Sequence, residues 1–215
     1  MWRRPLPVLL AALCSAATAH GQQYDLRTFS LEQGLPSASV NAICEDADGF
    51  LWVATDNGLA RGQGSRFEAF DRLPNAPGTQ ATALLATTDS QGGIRLWSGY
   101  RNGALGCWSA GTFIPWATST PLPTHPVRTL LPGPENTLWL ASRGGGIWRV
   151  DTMARTATAM HQGLPSLRIN ALAAMPRQAL VACTDSGLFH WKQDRWHPAP
   201  ANAELRGRRA LSVWV

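Results

Sequence analysis

Residues 45–61 read EDADGFLWVATDNGLAR: an acidic turn, an apolar run holding one tryptophan, then a polar step that ends at Gly58. The same order returns three times. LWVATDNGLAR begins at Leu51, LWSGYRNGALG at Leu96, LWLASRGGGIW at Leu138 and LVACTDSGLFH at Leu180. A glycine follows each leucine by seven residues, at Gly58, Gly103, Gly145 and Gly187, so the steps between glycines are 45, 42 and 42 residues. Trp52, Trp97 and Trp139 share one frame, and Val181 stands in the fourth.

The surroundings repeat as well. GLPSASVNAI at 34 and GLPSLRINAL at 163 precede the first and fourth copies, and LPTHPVRTLL at 122 is a looser version before the third. A hydrophobic stretch leads each unit, over Val40 to Ile43, Ala83 to Leu85, Val127 to Leu131 and Ile169 to Leu172, followed by the turns DADG, DSQGG, GPEN and MPRQ. Each unit reads as four short strands; in the first they are SVNAICE, FLWVATD, LARGQG and RFEAFD. Apolar runs cut by Gly, Asp, Asn and Pro are strand and hairpin signals. No apolar pattern at helical spacing persists for several turns outside the leader. The repeat glycines suit tight hairpins, where positive φ costs glycine nothing.

Four strands in 42 to 45 residues match one blade of a β-propeller. The expected fold is therefore all-β: a propeller of four-stranded blades, with about four blades and a truncated fifth. The units fall roughly at 34–70, 71–116, 122–160 and 163–200, and RRALSVWV in the remnant 204–215 matches the opening strand of another unit. Stacking covers the two faces of each blade, which makes Trp52, Trp97 and Trp139 packing anchors between blades. A buried tryptophan removes on the order of 200 Å² from water, so at about 25 cal/mol/Å² each contributes several kcal/mol.

The 215 residues allow one large domain or two small ones, and 45% hydrophobic with 15% charged residues is a globular composition. The net charge is +5, with Lys192 the only lysine among 19 cations. The arginines are scattered, and RGRR at 206–209 reads as a solvated loop, so there is no nucleic-acid footprint. Residues 1–21 read as a signal peptide: Arg3 and Arg4, then LPVLLAALCSAA, then small residues that allow cleavage after Ala19 or Gly21. That apolar run is shorter than the ~20 residues of a membrane-spanning helix. Residues 22–215 form the partial propeller and are expected to be exported. Export permits disulfides, but Cys44, Cys107 and Cys183 are odd in number and lie at no metal-ligand spacing, so they read as small buried hydrophobes.

The first copy resembles the two-component regulator propeller repeat, whose usual form runs Val-x-x-Ile, Asp-x-x-Gly, Leu-Trp-x-x-Thr, x-x-Gly-Leu. Val40, Ile43, Asp46, Gly49, Leu51, Trp52, Thr55, Gly58 and Leu59 match it. The second copy has Tyr100 at the Thr position, the third has Ser142, and the fourth keeps Thr184 but loses the Trp and the turn. The resemblance implies a periplasmic ligand-sensing propeller at the N-terminal side of a signalling receptor. It also implies a membrane-anchored histidine kinase or diguanylate cyclase downstream, in a phosphorelay or cyclase pathway. The family carries no catalytic motif in its repeats, so no catalytic residue, cofactor or metal is expected here. A small-molecule or saccharide ligand is the expected partner, and a homodimer fits this architecture.

The best candidate ligand contacts are polar residues just before each repeat glycine: Asp56 and Asn57, Arg101 and Asn102, Arg143 and Gly144, Asp185 and Ser186. Equivalent positions in successive blades share one rim, and Arg101 and Arg143 would offer forked donors to an anionic group. Asp, Asn and Ser are also what hairpin turns demand, and that structural role is favoured. DADG lacks the glycine and glutamate of a calcium loop, and RGGGIW lacks the Lys-Ser/Thr of a phosphate loop. His125, His161, His190 and His197 are dispersed, and GLPS is not a nucleophile elbow. Two other readings remain: a stand-alone exported binding or scaffold propeller, and a propeller lyase or hydrolase, which needs a histidine beside a carboxylate at the ring mouth.

Overall fold

Apolar runs of four to eight residues, cut by Gly, Asn and Asp, become sixteen strands in a computed structural model that describes residues 26–70, 76–175, 180–202 and 209–212. The first sheet holds β1 (Val40–Glu45), β2 (Leu51–Thr55), β3 (Gly58–Gln63) and β4 (Arg66–Phe70). The second holds β5 (Ala81–Thr88), β6 (Ile94–Tyr100), β7 (Leu105–Ser109) and β8 (Thr112–Trp116). The third holds β9 (Val127–Pro132), β10 (Thr137–Ser142), β11 (Gly146–Asp151) and β12 (Thr156–Ala159). The fourth holds β13 (Ile169–Ala174), β14 (Leu180–Thr184), β15 (Gly187–Lys192) and β16 (Arg195–Pro198). Every sheet is an antiparallel meander with its strands in chain order. The fold is a partial β-propeller. The leader 1–21 and most of the remnant 204–215 lie outside the described residues, and Arg209–Ser212 form no strand.

Three apolar clusters join consecutive sheets. Trp52, Ala54 and Leu59 of the first sheet pack on Leu96, Tyr100 and Phe113 of the second. Trp97, Leu105 and Cys107 of the second meet Leu130, Leu140 and Val150 of the third. Trp139, Ala141 and Ile147 of the third meet Leu180, Phe189 and Trp196 of the fourth. The face of each sheet turned to its successor will be called leading. The repeated indoles all lie on leading faces and are buried, Trp97 at 1% exposure. The other face of the first sheet is covered by its own N-terminal segment, through Leu35 against Val53, Ala60 and Phe67, with Phe29 edge-on to Phe67 at 5.3 Å.

The repeat threonine closes the central hairpin. Thr55 Oγ1 donates to the Gly58 carbonyl at 2.9 Å and accepts from the Asn57 N–H, and Thr184 does the same with Gly187 and Ser186. These hairpins have two-residue loops, since Thr55 pairs with Gly58 and Thr184 with Gly187. Where threonine is replaced, the loop is one residue longer. Ser142 pairs with Gly146, and the Tyr100 N–H donates to Ala104. Gly103 and Gly145 are thus loop residues rather than strand-opening partners like Gly58 and Gly187. Gly103 has φ +87°, and a Cβ there would strike the Pro123 carbonyl, so only glycine fits.

Each inner strand also carries a bulge at its second residue, at Asn41, Thr82, Arg128 and Asn170. A bulge turns a side chain away from the ladder, and three of these reach the next segment. Asn41 Nδ2 donates to the Ala81 carbonyl at 2.9 Å, Thr82 Oγ1 to Val127 at 2.7 Å, and Asn170 Nδ2 to Ala210 at 2.9 Å.

Cys44, Cys107 and Cys183 are free thiols. Burial pushes Cys44 and Cys107 up to about 11 and raises Cys183 as well, so all three stay protonated near neutral pH.

Two substitutions test this account. Trp97→Ala empties a junction between sheets and should lower unfolding free energy by about 3–5 kcal/mol, read from the denaturant midpoint. Thr55→Val keeps the shape but strands a carbonyl and an amide, costing about 1–2 kcal/mol in the same measurement.

Candidate functional site

Turns between the first and second strands of each sheet begin with an aspartate in the first two sheets. Asp46 Oδ1 accepts from the amides of Asp48 and Phe50, and its Oδ2 accepts from Trp52 Nε1 at 2.8 Å. Asp89 Oδ1 accepts from Gln91 and Gly93 at 2.9 and 2.8 Å, and its Oδ2 lies 3.6 Å from Arg95. In the third sheet Thr137 closes the turn by donating to the Pro134 carbonyl through Oγ1. The aspartates are held by backbone donors because Asp can cap its own turn.

These three turns border one cleft of about 630 Å³, between the second and third sheets and reaching the first. Glu45, Asp89, Arg95, Trp97, Glu135 and Thr137 are on its wall. Trp97 Nε1 donates to Thr87 Oγ1 at 3.1 Å, and Thr87 lines the cleft too. Carboxylates accept, Arg95 donates in a fork, and threonine hydroxyls do both. Such a wall suits a polar, hydroxyl-bearing solute lying against an indole edge. Among the described residues that line it there is no histidine.

The hairpin residues named from sequence sit at the other end of β2, β6, β10 and β14, away from this cleft. Asp56 and Asp185 each accept from the bulged asparagine of the same sheet, at 3.0 Å. Asn57 Nδ2 and Asn102 Nδ2 donate to the Pro36 and Pro77 carbonyls on the incoming connections. The Ser186 amide is held by Thr184, and the Gly144 amide by the Leu167 carbonyl. Arg101 and Arg143 are exposed, with their backbone amides bonded to Gln80 and Pro126. The structure thus gives most of these side chains a fastening role in the hairpin rim. His190 and His197 are brought together, their rings stacked at 5.8 Å, but among the described residues no group of three metal-capable side chains forms.

Sequence reading missed the cleft because its turns, DADG, DSQGG and GPEN, share little. The available signal was the leading aspartate of the first two, at matching places in consecutive units.

Residues 34–57 match the two component regulator propeller model. No curated protein matches the chain. Among solved structures it is similar to the extracellular domain of BT3049 from B. thetaiotaomicron, described as a hybrid two component system, with TM-score 0.68 and 21% identity. That match covers 80% of this chain and 26% of BT3049's. The extracellular domain of BT4673 from the same organism, also described as a hybrid two component system, gives 0.63 at 22% identity, covering 78% and 22%. Virginiamycin B lyase from Staphylococcus aureus gives 0.61 at 16% identity, covering 78% and 58%. The chain thus spans about a quarter of the length of the two signalling structures, and the likeness at these identities is one of fold. No helix among the described residues is long and apolar enough to cross a membrane.

Backbone amides of Gly93 and Gln91 hold the Asp89 carboxyl below its ordinary range. A depressed carboxylate stabilises the fold above its unfolded value, and that stability is lost as pH falls through the folded value. Asp89→Asn should therefore be less stable than the parent at pH 7, and the gap should narrow as pH drops below the carboxylate range in parallel thermal melts.

Proposed function

On the premise that residues 34–57 carry a two component regulator propeller repeat, we propose that this chain is the ligand-sensing part of an exported signalling receptor. The cleft built by turns of three successive sheets carries the reading, because its walls belong to different blades. A ligand spanning them would bias how those blades pack, and that shift is what a receptor transmits. The ligand is a small polar molecule or saccharide, donating to Glu45 and Glu135, accepting from Arg95, and bonded either way to Asn136 and Thr137. The leader 1–21 delivers the propeller to the periplasm, and a membrane-anchored histidine kinase or diguanylate cyclase follows in the whole receptor, working as a homodimer. The propeller itself binds and does not catalyse.

Titration calorimetry with a panel of neutral oligosaccharides, amino acids and small carboxylates tests this. At least one class should bind, and Arg95→Ala or Asn136→Ala should weaken it by about tenfold, the value of one lost hydrogen bond to a charged or well-placed group. Arg101→Ala and Arg143→Ala, at the other rim, should leave that affinity unchanged. Loss confined to those two variants would move the site to the hairpin rim, and silence across the whole panel with folded protein would sink the sensing role.

A further inference from the structure

Another groove lies between the third and fourth sheets, and Pro132 and Gly133 of the β9–β10 turn border both it and the polar cleft. Its volume is about 380 Å³, within the range of small-molecule sites. Trp139, Met160 and Trp191 line it, together with Arg149 and Asp194. The two indoles meet edge-on at 6.0 Å. Arg149 and Asp194 are exposed, and among the described residues neither has an ion-pair partner.

The junction between the first and second sheets shows what this groove lacks. There Phe70 packs against both Trp52 and Trp108, with ring centroids 5.6 and 5.0 Å away. Trp108 and Trp191 hold equivalent places, each following the residue paired with the repeat's tryptophan position, Cys107 with Trp97 and His190 with Val181. Phe70 pairs with Leu59, and the Met160 amide donates to the carbonyl of the equivalent Ile147, so Met160 stands where Phe70 stands. The indole N–H differs too. Two residues past the partner of Trp52 comes Asp46, and two past the partner of Trp97 comes Thr87; each accepts from its indole. The same place in the third sheet is Gly133, where a Cβ would strike Thr137 Oγ1. Among the described residues Trp139 Nε1 meets no acceptor.

We propose that this groove binds an aromatic amino acid. Its ring packs against Trp139 and Trp191, its carboxylate accepts from Trp139 Nε1 and the Arg149 fork, and its ammonium donates to Asp194. The ligand thereby supplies the ring and the acceptor that Phe70 and Asp46 supply at the first junction. Charges of both signs beside an apolar slot favour a zwitterion over a plain acid or a plain amine.

Titration with L-phenylalanine, followed in the indole region of proton–nitrogen correlation spectra, tests this. The resonance that disappears in Trp139→Phe should shift saturably. Met160→Phe, which builds the ring of the first junction into the groove, and Arg149→Met should each weaken binding by about tenfold or more. Phenethylamine and 3-phenylpropionate, each with one charge removed, should also bind about tenfold more weakly or worse. Arg95→Ala, in the polar cleft, should leave the affinity unchanged, so the two sites are read apart. No shift up to ~10 mM, well past a millimolar Kd, overturns the proposal, as does an affinity that neither Arg149→Met nor Met160→Phe alters. Loss in Arg95→Ala alone assigns the ligand to the polar cleft and also overturns it. Binding of 3-phenylpropionate as tight as that of L-phenylalanine overturns the amino-acid assignment.

Discussion

Desolvation of sheet faces between consecutive blades is the constraint on which this molecule rests. A four-stranded antiparallel sheet has two faces and little independent stability when either is wet. Here the second strand of each of the first three sheets sends an indole from its leading face into the next sheet, and three separate apolar clusters result. Each cluster is confined to one junction, so cohesion passes from neighbour to neighbour as in other repeat proteins. The first sheet's free face is handled differently, by folding the segment around Phe29 and Leu35 back over it.

Hydrogen bonds then set the registry that apolar packing cannot. Burial alone would let adjacent sheets slide, since one methyl group packs nearly as well as another. The bulged side chains at Asn41, Thr82 and Asn170 fix each sheet to a particular carbonyl of the segment that follows. Thr55 and Thr184 likewise fix the central hairpin from within, and the exchange of threonine for Tyr100 and Ser142 goes with a longer loop.

The architecture could be read from sequence because tryptophan at a constant interval has few other uses, and because Gly-rich punctuation returned with it. Loop length could not be read that way. A glycine seven residues after each leucine looks uniform, yet Gly103 and Gly145 lie inside three-residue loops while Gly58 and Gly187 open strands. The bulges were hidden too, since a skipped ladder position leaves no mark on composition. Most opaque was the cleft, which is assembled from Ala47, Asp89 and Glu135 on three different turns, with no common motif. Rim residues such as Asp56 and Asn102 carry both readings in the sequence, because turn chemistry and ligand chemistry favour the same side chains, and the structure shows them bonded within the rim.

Trp97 belongs at once to the lining of the cleft and to the joint between the second and third sheets. Its indole N–H is held by Thr87, itself on the cleft wall, and its ring meets Trp116 edge-on at 4.8 Å. Cavity wall and blade joint therefore share one side chain. Any shift between those two blades reshapes the cavity wall, and it does so at a side chain whose emission reports its surroundings.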